Sequence, residues 1–169
     1  MTVQLPHFYE SRIEWTGEKM GHLSVPGLPA LQVATPPEFD GHDGFWSPEH
    51  YFVAAVNSCI MTTFLAIAEG SKLQFESYQA QATGKLEKPE NEGYRITEII
   101  IRPRLVISQS KDMERAGRIL QKAEKHCLIS NSIKAVVHLE PQILIASGSD
   151  SSEPGISSPP GKGPNRRVT

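Results

Sequence analysis

The first forty-odd positions alternate between apolar and polar residues in short bursts. Arg12-Ile-Glu-Trp15 places successive side chains on opposite faces, Thr16 to Gly21 supplies a turn, and His22-Leu-Ser-Val25 runs back. Pro26-Gly27 punctuates the chain before Leu31-Gln-Val33, so the segment predicts a β-meander of three short strands. Residues 36–44, Pro-Pro-Glu-Phe-Asp-Gly-His-Asp-Gly, are too rich in turn formers for regular structure and predict a loop, the kind of segment that often carries function on a rigid frame.

The pattern then changes period. Ser47 is a good helix N-cap, Pro48 is tolerated at the first helical position, and Glu49 sets negative charge against the positive end of the helix dipole. Gly70 is the natural stop. Between them Tyr51, Phe52, Val53, Val56, Ile60, Met61, Phe64, Leu65 and Ile67 leave almost no polar face, which predicts a helix enclosed by protein, with a sheet on one side and a partner subunit on the other. Asn57, Ser58, Thr62 and Thr63 within the run, and the lack of basic or aromatic flanks, favour a core helix over a membrane span.

Tyr78 to Lys88 and Arg95 to Ile107 alternate as strands around the turn Pro89 to Gly93, predicting a β-hairpin. Ile99, Ile100 and Ile101 imply apolar cover on both faces of the second arm, and Pro103 predicts an edge position or a bulge. From Lys111 to Cys127, Met113, Ala116, Leu120, Ala123 and Cys127 recur at steps of three and four, marking the buried face of an amphipathic helix; Glu114, Arg118, Lys122 and Lys125 fall on its wet side. Ala135 to Glu140 and Ile143 to Ala146 read as strands. The order predicts an α+β fold, a mostly antiparallel sheet packed on helices, over residues 1–146. Residues 147–169, dominated by Ser, Gly and Pro, predict a disordered tail.

Composition narrows the function. A net charge of −2 and a pI near 6.3 give no electrostatic footprint for nucleic acid. The start of the chain lacks a basic segment followed by an apolar run, so a cytoplasmic location without membrane association is expected. The chain has two cysteines, Cys59 and Cys127, and reduced thiols are the cytoplasmic norm, which disfavours a purely structural disulfide. No zinc-ligand spacing occurs among the cysteines and the six histidines, and no metal is expected. On residue type alone Cys59 is more readily a buried packing residue than a redox group, and Cys127 is as readily the one as the other. Glu49 lies ten residues before Cys59, a rise of about 15 Å along one helix, so a shared site requires the carboxylate of a second copy.

Four segments together resemble the OsmC/Ohr family, the osmotically inducible protein C and organic hydroperoxide resistance proteins: Trp15-Thr-Gly-x-x-x-Gly21, Phe45-Trp-Ser-Pro-Glu49, Ala54-Ala-Val-Asn-Ser-Cys59 and His126-Cys-Leu-Ile-Ser-Asn-Ser132. The resemblance runs from about Tyr9 to Leu144. It implies an intertwined homodimer with a strongly curved sheet and two active sites at the interface. It further implies that Cys59 is the thiolate that reduces an organic hydroperoxide, that Cys127 resolves the sulfenic acid to a disulfide, and that a dithiol, often lipoyl-linked, restores the pair without a bound cofactor. Glu49 matches the acid that positions an arginine over the thiolate from the opposite subunit. The chain departs from the family here: Lys19 occupies the arginine's place in the Gly-x-x-x-Gly turn, and residues 36–46 contain no arginine. A lysine favours thiolate as a point charge, without the planar fork of a guanidinium. Trp15, Phe45 and Trp46 are candidates for an apolar substrate pocket. The alternative reading is a catalytically silent OsmC-like protein that binds a small apolar ligand at the dimer interface.

Overall fold

A computed structural model describes residues 5–146. The expected tail, 147–169, lies outside the described residues. Strands β1 (Arg12–Gly17), β2 (Met20–Ser24) and β3 (Leu31–Ala34) form the predicted antiparallel meander in the order β1-β2-β3. Gly17, at φ 129°, and Glu18, at φ 46°, make the tight β1–β2 connection, where a left-handed backbone is needed. Little covers this sheet within one chain: Ile13 and Trp15 remain 59% and 76% exposed.

Helix α1 (Pro48–Gly70) begins where the sequence predicts. The Ser47 side chain accepts the His50 N–H, and the Ser47 N–H donates to His50 Nδ1 at 3.2 Å, so a histidine completes the capping box usually closed by Glu or Gln. One face of α1, Val56, Ile60, Phe64 and Ala68, is buried. The opposite stripe, Ser58, Met61, Thr62, Leu65, Ala66 and Glu69, is exposed in a single chain, which leaves the expected second cover for this apolar helix unfilled.

Strands β4 (Phe75–Glu87) and β5 (Arg95–Ile107) form the long hairpin, with β4 starting three residues earlier than the alternation predicts. Helix α2 (Met113–His126) follows a 3-10 turn at Ser110–Asp112 and buries Ala116, Ile119, Leu120 and Ala123. The short strands β6 (Val136–Leu139) and β7 (Gln142–Ile145) both pair with β5 in parallel, so β5 is the central strand of the second sheet. The two sheets are antiparallel-dominated, as expected, apart from this one seam.

Two expectations for β5 need correction. Pro103 lies on neither an edge strand nor a bulge. It pairs in register with Ala80 and is fully buried in the central strand. On the other side β6 ends opposite Ile101 and β7 starts opposite Arg104, so the proline falls where the neighbouring strand changes and its missing N–H leaves no ladder bond unmade. The Ile99–Ile101 run is covered fully on one face only: Ile99 and Ile101 are buried, and Ile100 is half-buried on the other.

The core has two parts. One joins Phe64, Ala68, Leu105, Ile107 and Leu120 between the ends of α1, α2 and the hairpin. The other gathers Val56, Ile60, Ile99, Ile101, Cys127 and Ala135, with Cys59 packed against it.

Candidate functional site

Cys59 lies midway along α1, and Cys127 is the residue at which α2 ends. Although 68 positions apart in sequence, both sulfurs meet at the second core cluster because α2 packs beside α1 and delivers its C-terminus there. Both thiols are free, Cys127 fully buried and Cys59 partly accessible. Cys59 packs against the cluster that holds Cys127, and Ile129 packs against the same cluster. The Ser130 N–H in turn lies 3.4 Å from Cys127 Sγ.

This setting drives the two thiols apart. Burial is the largest single influence on Cys59 and pushes its thiol up, but polar neighbours, Cys127 foremost and then the Ile129 amide, Thr63 and the Leu128 amide, together outweigh it and hold the thiol below its ordinary value. Burial pushes the Cys127 thiol up, and donating its proton to Cys59 pushes it further; bonds from Ser130 only partly oppose this. These directions favour thiolate at Cys59 over Cys127. That asymmetry suits an exposed nucleophile backed by a buried resolving thiol.

The other predicted residues lie elsewhere within the chain. Lys19 Nζ donates to the carbonyls of Phe39 at 3.0 Å and Asp40 at 2.9 Å, tying the meander to the loop before α1. Glu49 sits in the first turn of α1, and its Oε2 is buried without a hydrogen-bond partner among the described residues. Trp46 stacks on Tyr51, with ring centroids 5.4 Å apart, and stays 51% exposed. Phe45 meets the His42 ring edge-on, and the Trp15 indole donates to the Glu18 carbonyl at 2.9 Å.

Trp46, Glu49, Val53, Asn57, Leu86 and Ile96 help line a largely apolar cavity of about 580 Å³ between α1 and the hairpin, which neither Phe45 nor Trp15 lines. Cys59 comes two residues after Asn57, about 200° further round the helix, so it points away from this cavity within its own chain. One chain thus brings Cys59 and Cys127 together, and places Glu49, Lys19 and Trp46 apart from them.

Residues 41–142 match the profile of the family described as OsmC-like protein. The chain belongs to this family. The uncharacterized protein YmaD of Bacillus subtilis is 26% identical over 149 residues, which cover 85% of this chain and 97% of that protein. Among solved structures, an OsmC-like protein of unknown function from Vibrio cholerae superimposes with a TM-score of 0.75 at 23% identity, covering 81% of this chain and all of the other. An organic hydroperoxide resistance protein from Elizabethkingia anophelis superimposes with a TM-score of 0.66 at 19% identity, over 84% of this chain and 100% of that one. The OsmC-like chain therefore shares its fold with proteins of organic hydroperoxide resistance.

Reading the sequence for chemistry missed Thr63, the Leu128 and Ile129 amides, and His50. Thr63 had a local signal, since residues four apart share a helix face. The amides had none, because any residue supplies an N–H. His50 was hidden because Ser-x-x-His is outside the usual capping-box pattern.

Proposed function

We propose that the protein is a homodimeric, cytoplasmic, thiol-dependent reductase of organic hydroperoxides. The observation that carries this reading is the meeting of the partly accessible Cys59 and the buried Cys127 in one core cluster, 68 positions apart in sequence. The Cys59 thiolate attacks the terminal oxygen of the hydroperoxide. An S–O bond forms as the O–O bond breaks, and the departing alkoxide takes up a proton to become an alcohol. Cys127 then attacks the Cys59 sulfenic acid, its sulfur forming the S–S bond while the S–O bond breaks and the oxygen leaves as water with the Cys127 proton. A dithiol reductant, lipoyl-linked in the family pattern, exchanges with the disulfide and is itself oxidised.

The proposed second copy serves this reading in two ways. It covers the apolar surface that one chain leaves open at Ile13, Trp15, Met61 and Leu65. It also brings a Glu49, a Lys19 and a Trp46 toward the sulfur of its partner, which no side chain of the same α1 helix at position 49 reaches across about 15 Å. The test is consumption of cumene hydroperoxide with dihydrolipoamide as reductant. Cys59→Ser abolishes turnover, and Cys127→Ser leaves a sulfenic acid that dimedone traps. Equal loss of dimedone labelling in both variants overturns the assignment.

The cavity beside Trp46, on the far side of α1 from Cys59, favours a second reading, binding of a small apolar ligand without chemistry. Under that reading the ligand quenches Trp46 fluorescence equally in the wild type and in Cys59→Ser, and no hydroperoxide is consumed.

A further inference from the structure

We propose that the hollow at the start of α1 binds a single-chain amphiphile with a carboxylate head, its apolar chain lying in the cavity beside Trp46 and its head held by Arg95 and Lys134. The inference deepens the ligand-binding reading above and rests on that cavity being a binding site; it is independent of chemistry at Cys59.

The cavity beside Trp46 continues past Glu49. A second hollow of about 440 Å³ adjoins it, and Phe39, Glu49, Leu86 and Ile96 line both. Each has the size of a small-molecule site, about 300–1,000 Å³. The two ends differ in chemistry. No lysine or arginine lines the larger cavity, whose inner walls are Val53, Ala54, Ala82 and Gly84. The second hollow adds Phe52 and Tyr94 to the apolar wall and brings in Arg95 and Lys134. An apolar channel with cations at one end suits a molecule divided in the same way.

The charges at that end are available to a ligand. Arg95 opens β5, and its side chain is 38% exposed. The Glu92 carboxylate stands 2.6 Å from Arg95 Nε but out of line, so that nitrogen makes no hydrogen bond among the described residues. An exposed pair of this kind is weak, and it leaves the guanidinium fork for a second carboxylate. Lys134 is exposed and has no ion-pair partner among the described residues. Tyr94 meets Phe39 edge-on, with ring centroids 5.5 Å apart, and Lys88 Nζ lies 5.2 Å from its ring centroid, which sets a third cation at the rim. The opposing charge in the lining is Glu49, one of whose oxygens is buried. Pro48 also lines the hollow, so the positive end of the α1 dipole adds to the side that favours an anion.

The test is isothermal titration calorimetry of the full-length protein with decanoate, decan-1-ol and decyltrimethylammonium, each below the concentration at which it aggregates. Decanoate is expected to bind about tenfold more tightly than the other two. Arg95→Gln and Lys134→Gln each weaken decanoate by about threefold to tenfold and leave decan-1-ol unchanged. Arg95→Lys recovers part of the loss, because it keeps the charge without the fork. Arg118→Gln, which removes the same charge from the wet face of α2, leaves decanoate binding in place. Circular dichroism checks that each variant is folded, and Cys59→Ser binds decanoate as the wild type does. Equal affinity for the acid and the alcohol, or an equal loss in Arg118→Gln, overturns the carboxylate head and leaves the cavity to neutral apolar ligands. Binding of none of the three overturns the head and the cavity reading together. Vesicles of anionic lipid bound through Arg95 by a protein that ignores free decanoate overturn the proposal as well, and give these cations to a membrane surface.

Discussion

Gly84 sets how closely α1 can lie on the hairpin, and replacing it by alanine measures that closeness. A Cβ at this position of β4 lies 2.5 Å from Val53 Cγ2, with Ile96 Cγ2 and Cδ1 at 3.5 and 3.6 Å. Carbon atoms prefer at least about 3.5 Å, so the Ile96 contacts are ordinary and the Val53 contact is short by about 1 Å. Valine is stiff at χ1 and cannot swing its methyl aside cheaply, so the relief has to come from the helix backbone. Overpacking of this kind costs about 1–3 kcal/mol. Alanine gains back about 0.5–1 kcal/mol over glycine in a strand interior. The expected net loss for Gly84→Ala is therefore about 0–2.5 kcal/mol. Val53→Ala opens the space, and in that background Gly84→Ala should stabilise by about 0.5–1 kcal/mol, leaving a coupling of about 1–3 kcal/mol between the two sites. Urea denaturation of the four proteins closes this cycle. A Gly84→Ala protein at least as stable as the wild type, with no coupling to Val53, refutes the claimed contact.

Two further substitutions test other parts of the frame. Tyr78 stacks on Phe64 with ring centroids 5.0 Å apart, its hydroxyl is buried without a partner among the described residues, and burial pushes its phenol from the usual 10.0 up to about 12. Tyr78→Phe should leave stability at neutral pH unchanged or raise it by about 1 kcal/mol in urea melts, and a loss of that size would reveal an unseen hydroxyl partner. Between pH 10 and 12 the unfolded tyrosine ionises before the folded one, so the folded state binds more protons and stability falls as pH rises; that component of alkaline destabilisation should be missing from Tyr78→Phe. Ser47 is buried at the N-cap of α1, and Ser47→Ala should cost about 1 kcal/mol in thermal unfolding. An unchanged midpoint would mean that His50 contributes nothing through the capping box.

The elements themselves were largely legible. The Ser47-Pro48 start and the Gly70 end of α1, the wet and buried faces of α2, and the hairpin around Pro89 to Gly93 all follow from periods and punctuation that act within a few residues. Pro103 was misplaced because its tolerance depends on what β6 and β7 leave open beside it, and those strands come more than thirty residues later. The candidate site was legible only in part. Cys59 and Cys127 were paired through a family likeness, since neither spacing nor composition distinguishes a reactive cysteine from a packing one.

What the chain's residues decide alone is therefore local: which segments wind, which extend, and which face of each is apolar, because these preferences act over one or two turns. Which thiols meet was left to the packing of α1 against the end of α2. Only there do Cys59 and Cys127, 68 positions apart, come into one core cluster, because contacts between distant segments depend on how whole elements pack.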